Sequence, residues 1–442
     1  MRNAPYPDVV EILRRLIAFD TTNPPGNEAA CIATIHDLLT QAGIETALLA
    51  QDPARPNLVA RLPGRGEAPP FLMYGHVDCV TCAGQTWTHP PLSGEVHDGF
   101  IWGRGTLDMK GGVAMMLTAL LRARASGLQP AGDVLFAALS DEEGGGDVGA
   151  RFLVEQHPEQ FNGVRYAIGE FGGFTMSLAG KTLYPIMIAE KQMCWLRATV
   201  KGRGGHGSMP VRGQTMARLG EVLQRLDRRR LPVHITPAAA AMLNGIADGT
   251  GGAIGAILRL LLKPALTDLL LNALGGQTRL FDPLLHNTVS PTMLQGSDKI
   301  NVIPGEASIG IDGRLLPGQT PQQMLAELRS ILGDDVELEV QRSDPGPAEP
   351  DMTLFPLLAE VLKTADPAGI PVPLLLSGVT DARFFSRLGI QTYGFTPMQL
   401  PPDFRFTEVI HAADERIPVG AMAFGADAIY RLLERLPGQA AL

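Results

Sequence analysis

"YGHVDCV", residues 74–80, closes the apolar run "PFLMYGH" (70–76) with a histidine two residues ahead of an aspartate. A short apolar run of this kind reads as a buried strand, and the carboxyl ends of such strands are where open α/β sheets bind ligands. A single His-x-Asp arises often by chance. Its meaning depends on whether other strand ends carry partners of matching chemistry. Asp141, Glu142 and Glu143 follow the apolar run "GDVLFAALS" (132–140), and Glu170 closes "VRYAIGE" (164–170). Between the strand end at His76 and the one at Asp141, "GRGTLDMKGG" (103–112) places Asp108 just ahead of a helical stretch, and "EVIHAADER" (408–416) supplies His411 near the far end.

The rest of the first 190 residues supports a sheet. "NLVARL" (57–62) is a further strand candidate, and residues 7–20, 28–42, 109–127 and 147–157 read as helices. Short apolar runs alternating with helices predict an α/β unit, a mostly parallel sheet sandwiched by helices. From about 191 the pattern changes. Strands at 192–202, 288–296 and 306–315, with helices at 213–229 and 320–332, predict an inserted α+β domain over 191–342. An extra Ala/Leu/Gly-rich helical segment lies at about 232–285 within it. Residues 1–190 and 343–442 then form one discontinuous catalytic domain.

The chain has 442 residues, 45% hydrophobic and 19% charged, with a formal net charge of −9. That length suggests two domains, and the acidic balance without a dense basic run argues against nucleic acid. The most lipid-like stretch, 255–276, is interrupted by Arg259, Lys263, Pro264 and Asp268, so no membrane span is expected. Four cysteines are too few for a disulfide scaffold and fit a reducing cytoplasm. Cys79-x-x-Cys82 has no second pair and reads as incidental. His36, His89, His97, His157, His234 and His286 show no partner pattern in the sequence and read as surface or structural residues.

Two histidines and three carboxylates at strand ends suffice for a pair of divalent cations, because a carboxylate can bridge. Asp78 is placed to orient the imidazole of His76. Adjacent carboxylates at 142 and 143 point in different directions, so one can ligate while the other stays free as a general base.

Together these segments resemble a known family. "YGHVDCV", "WGRGTLDMKGG", "SDEEGGG", "IGE", "GRGGHGSMP", "NVIPGEASIGIDGRLLP", "GVTDARFF" and the late His411 are similar, in this order, to the dinuclear zinc amidohydrolases. That family includes glutamate carboxypeptidase, aminoacylase, acetylornithine deacetylase and succinyl-diaminopimelate desuccinylase. The resemblance implies that His76, Asp108 and Glu170 hold one metal and Asp108, Glu143 and His411 the other, with Asp108 as bridge. Zinc is the expected metal, with cobalt and manganese as alternatives. It implies Glu142 as general acid/base, Asp78 as the partner of His76, and His206 as oxyanion stabiliser. It also implies substrate contacts from Asn301, Arg314, Gly378 and Thr380. The inserted domain becomes a lid and dimerisation domain, giving a homodimer. The expected reaction is hydrolysis of an amide next to a free carboxylate, in an N-acyl amino acid or short peptide. The rivals are a catalytically silent metal-binding scaffold and a two-metal phosphoesterase. Glu142 argues against the first, and the lack of basic residues around the metal motifs against the second.

Overall fold

The computed structural model describes residues 6–275 and 280–438. The chain divides into two compact units, Met1–Ile188 with Asp351–Leu374 and Thr380–Leu442, and Ala189–Pro350 with Leu375–Val379.

The first unit is built on a nine-stranded sheet. Its order is Glu45–Leu49, Asn57–Leu62, Val134–Leu139, Phe71–His76, Tyr166–Gly169, Gln391–Gly394, Lys181–Glu190, Ile370–Leu376, with Met176–Leu178 beside Lys181–Glu190. The four strands from Val134–Leu139 to Gln391–Gly394 run parallel, and antiparallel pairs flank them. Every residue of Phe71–His76, Val134–Leu139 and Tyr166–Gly169 is buried. That is why these strands read as unbroken apolar runs: helices cover both faces. On one face, Leu72, Tyr74, Leu135, Ala137 and Leu139 pack with Phe152, Leu153, Phe384 and Phe385. On the other lies Lys110–Ser126, buried along nearly its whole length. Gly75 faces that helix. A β-carbon there would fall 2.6 Å from Met109 Cε and 2.9 Å from Val113 Cγ2, so the strand can approach the helix only as glycine. The antiparallel strands Glu45–Leu49 and Lys181–Glu190 were not anticipated from the sequence.

Parallel pairing has a direct consequence for chemistry. His76 is in register with Leu139, and Phe71 with both Val134 and Tyr166. Three neighbouring strands therefore end along one edge of the sheet, and the segments after them emerge side by side.

The second unit is an α+β layer. Its antiparallel sheet has the order Thr288–Gln295, Glu306–Leu315, Gln192–Lys201, Glu337–Ser343. Alternate residues Cys194, Leu196, Ala198 and Val200 enter a core with Ile309, Ile311, Leu219, Val222, Met324 and Leu328, from the sheet and the helices Thr215–Arg228 and Pro321–Leu332. Trp195 between them is 43% exposed, the alternation expected of a sheet covered on one face. The segment expected to be helical forms Pro237–Thr250, Gly252–Leu261, Pro264–Leu274 and Asp282–Leu285. Residues 276–279 of it lie outside the described residues. Met242, Leu243, Ile246, Leu258, Leu261 and Leu271 are buried.

Candidate metal centre

His76 ends its strand and is 1% exposed. Its Nε2 lies 3.0 Å from Asp108 Oδ1 and 3.5 Å from Glu170 Oε2. His411 Nε2 lies 2.9 Å from Asp108 Oδ2 and 3.3 Å from Glu143 Oε1. The two oxygens of Asp108 thus face two different imidazoles. Donor atoms of His76, Asp108 and Glu170 all lie within 4.8 Å of one another, and so do those of Asp108, Glu143 and His411.

The electrostatics are those of a crowded acidic site. Burial, followed by the charge of Glu170, pushes the Glu142 carboxyl well above the usual carboxylate range. Glu143 and Glu170 are raised too, first by burial. Burial opposes the ionised form of Asp108 as well, but His411 and His76 together hold it below its usual value. Burial likewise opposes charge on His76, yet hydrogen bonds to Asp108, Asp78 and Glu170 raise it well above an ordinary imidazole. The His411 imidazole is raised to about 10 by Asp108 and Glu143. Glu143 Oε1 is buried without a hydrogen bond of good geometry. Five carboxylates (Asp78, Asp108, Glu142, Glu143, Glu170) against two imidazoles leave an excess of buried negative charge. A pair of divalent cations fits both that imbalance and the nitrogen–oxygen donor set.

The bracing of this centre was only partly legible in the sequence. Asp78 was expected to orient His76 with its carboxylate. Its Oδ1 stands 3.5 Å from Nδ1, while its own carbonyl is closer, at 3.1 Å. The carboxylate also accepts from the Glu142 and Glu143 amides, both at 3.1 Å, and from Asn23 Nδ2 at 2.8 Å. Asp141 takes φ +71°, a strained value for a non-glycine residue. Asn23, Val148 N and Arg55 hold its side chain there. Glu415 and Arg104 were missed altogether. Glu415 Oε1 accepts from the amides of Leu107 (2.7 Å) and Asp108 (3.2 Å), and its Oε2 pairs with Arg104 Nη1 at 2.6 Å. Arg104 Nη2 and Gln85 Nε2 donate to the carbonyl of His411. One buried ion pair thus ties Asp108 to the His411 loop. Asp381, also missed, has both carboxylate oxygens buried without hydrogen-bond partners, and burial raises its carboxyl to about 7. Arg383 Nη1 lies 3.8 Å from Glu142 Oε1. These residues stand within the quoted motif segments, but the Arg104–Glu415 pair spans 311 residues, so no local pattern joins them.

Thr380 belongs to the same unit. It is buried, and its hydroxyl accepts from Ala382 N. His206, Asn301, Arg314 and Gly378 belong to the second unit. His206 sits on the short strand Gly205–His206, exposed, with Nδ1 2.7 Å from Ser208 Oγ. The Asn301 carbonyl accepts from Gly207 N beside it. Arg314 pairs with Asp312 through Nε at 2.9 Å and Nη2 at 3.1 Å.

A family model described as peptidase family M20/M25/M40 matches residues 72–435. Human N-fatty-acyl-amino acid synthase/hydrolase PM20D1 is 29% identical over 378 residues, covering 83% of this chain and 74% of that protein. Succinyl-diaminopimelate desuccinylase of Paracoccus denitrificans (strain Pd 1222) is 28% identical over 453 residues, covering 98% and 99%. Among solved structures, the M20 family metallo-carboxypeptidase Sso-CP2 from Sulfolobus solfataricus superposes with a TM-score of 0.67 at 16% identity, covering 98% of this chain and 99% of that one, a likeness of fold. The chain belongs to peptidase family M20/M25/M40 and is a metal-dependent amide hydrolase.

Proposed function

We propose that this protein hydrolyses the amide bond of an N-acyl amino acid, or of a short peptide, next to a free carboxylate. The observation that carries this reading is Asp108, whose two oxygens address His76 and His411 separately while Glu142 stands beside Glu143. His76, Asp108 and Glu170 hold one cation and Asp108, Glu143 and His411 the other. Zinc is the first choice, and cobalt and manganese accept the same donors. When bound, the cations polarise the scissile carbonyl and acidify the attacking water. Glu142 takes the proton from that water at its carboxylate and passes it to the leaving amine. Asp78 keeps the Glu142–Glu143 backbone in place through its two amide contacts.

The first unit is the catalytic domain, and the second is a lid and dimerisation domain. His206 stabilises the oxyanion, and Asn301, Gly378 and Thr380 contact substrate. Arg314 takes the substrate carboxylate by the two-point pairing a guanidinium allows, in exchange for the contact it now makes with Asp312. Dimerisation is supported by apolar side chains exposed on the edge strand Thr288–Gln295, Met293 at 62% and Leu294 at 61%, beyond the irregularity at Pro291. The helices over 237–274 thicken the second unit's core, as their buried leucines and methionine support. Four cysteines in the chain favour the cytoplasm. No helix among the described residues is long and apolar enough to cross a membrane.

The test is a panel assay of metal-loaded protein. Each N-acyl amino acid, from acetyl to long fatty acyl, is paired with its C-terminal amide, alongside dipeptides and phosphoesters. The free acids should be cleaved about 10–100-fold faster than the amides, the effect of one lost charge-assisted contact. Equal rates on acid and amide would sink the carboxylate reading, and cleavage of phosphoesters alone would sink the amide reading.

A further inference from the structure

His89, Glu95 and His97 form a second cluster of metal-type side chains, apart from the five ligands above. One donor atom from each lies within 4.8 Å of the other two. His97 Nε2 is 2.9 Å from Glu95 Oε2, and the imidazoles of His89 and His97 stack with centroids 3.9 Å apart. The backbone beneath them is rigid. Val96–His97 and Phe100–Trp102 form a hairpin whose two turn residues, Asp98 and Gly99, both have positive φ, as the tight two-residue turn requires. Trp102 Nε1 donates to the carbonyl of His97, and its ring meets the edge of His89 at 4.6 Å. The side chains themselves retain freedom: His97 is 41% and Glu95 50% exposed.

We propose that these three residues are a peripheral site for one borderline transition-metal ion (zinc, nickel or copper), with water completing the coordination. Two imidazole nitrogens and one carboxylate oxygen select such ions over calcium or magnesium, which favour all-oxygen shells. Tetrahedral coordination at zinc–nitrogen distances of about 2.0–2.1 Å places donors about 3.3 Å apart. Binding breaks the present stack: the His97 ring, 41% exposed, turns out of parallel with His89 so that one nitrogen of each converges on the ion.

The placement gives the site a consequence. His89 directly follows Thr88, whose amide and hydroxyl donate to Asp414 at 2.7 and 2.8 Å. Gln85 in the same segment donates to the carbonyl of His411. The strand Arg416–Pro418 pairs with Phe100–Trp102. An ion that fixes His89 to the hairpin therefore stiffens the segment that holds the His411 loop.

The test uses the full untagged chain, freed of metal and equilibrated with Co²⁺ or Cu²⁺. The parent should take up about three equivalents and H89Q/H97Q about two, with hydrolase activity at saturating metal unchanged. The copper resonance of the third equivalent should show coupling to two imidazole nitrogens, lost in the double variant. Hydrogen exchange of residues 85–89 should slow with the third equivalent in the parent alone. Equal uptake by the two proteins would overturn the proposal. If the double variant lowers the metal-free Tm, H97Q alone serves in its place, with loss of the two-nitrogen coupling and of the third equivalent deciding the matter.

Discussion

Glu142→Gln will lower kcat by about 10²–10⁴-fold, the usual contribution of a positioned general base, and leave metal content and Tm near the parent values. The substitution keeps the shape of the side chain and removes its basicity. Its backbone is held independently, since the Glu142 and Glu143 amides both donate to Asp78. The carboxylate has Arg383 at 3.8 Å and the charge of Glu170, which helps raise its pKa. Relieving a buried charge offers no reason for instability. Steady-state kinetics with elemental analysis on the same preparation checks this. Undiminished activity would remove Glu142 from the reaction and return the choice of base to Glu143 or Asp381.

Asp108→Ala will cost more. Its two oxygens serve both imidazoles, so one substitution strips a ligand from each proposed cation site. Losing two Lewis acids, each contributing several kcal/mol of transition-state stabilisation, corresponds to a fall of at least about 10³-fold. The informative comparison is with His411→Ala, which touches only the Glu143 side. Metal content after dialysis should drop by about two equivalents in the first variant and about one in the second. Equal losses would mean that Asp108 does not bridge.

The sheet of the first unit was legible because its central strands are buried on both faces, and that burial writes unbroken apolar runs. Four of the five ligand candidates were legible because each ends or follows such a run or precedes a helix, whereas His411 stands in a loop and was assigned only through the family resemblance. The antiparallel strand Glu45–Leu49 lacks that signature and contains no buried residue, whereas Lys181–Glu190 carries a buried run over 183–188 that was overlooked. The Arg104–Glu415 pair was hidden for a different reason. Charged residues read as solvated, and nothing local shows that each is the other's partner across 311 positions. The histidines left without partners show the same limit. His89 and His97 stack, His234 Nε2 contacts Glu327, and the buried His286 is held between Asp268 and Asp282. The Asp268 partner of His286 lies on the preceding helix Pro264–Leu274, so only folding brings the two together.

Anomalous diffraction from crystals of the full chain, grown with zinc and without chelator, tests the five-ligand assignment most directly. Two strong peaks are expected in the first unit, one among His76, Asp108 and Glu170 and one among Asp108, Glu143 and His411, with Asp108 touching both. A single peak there, or two peaks that do not share Asp108, would contradict it.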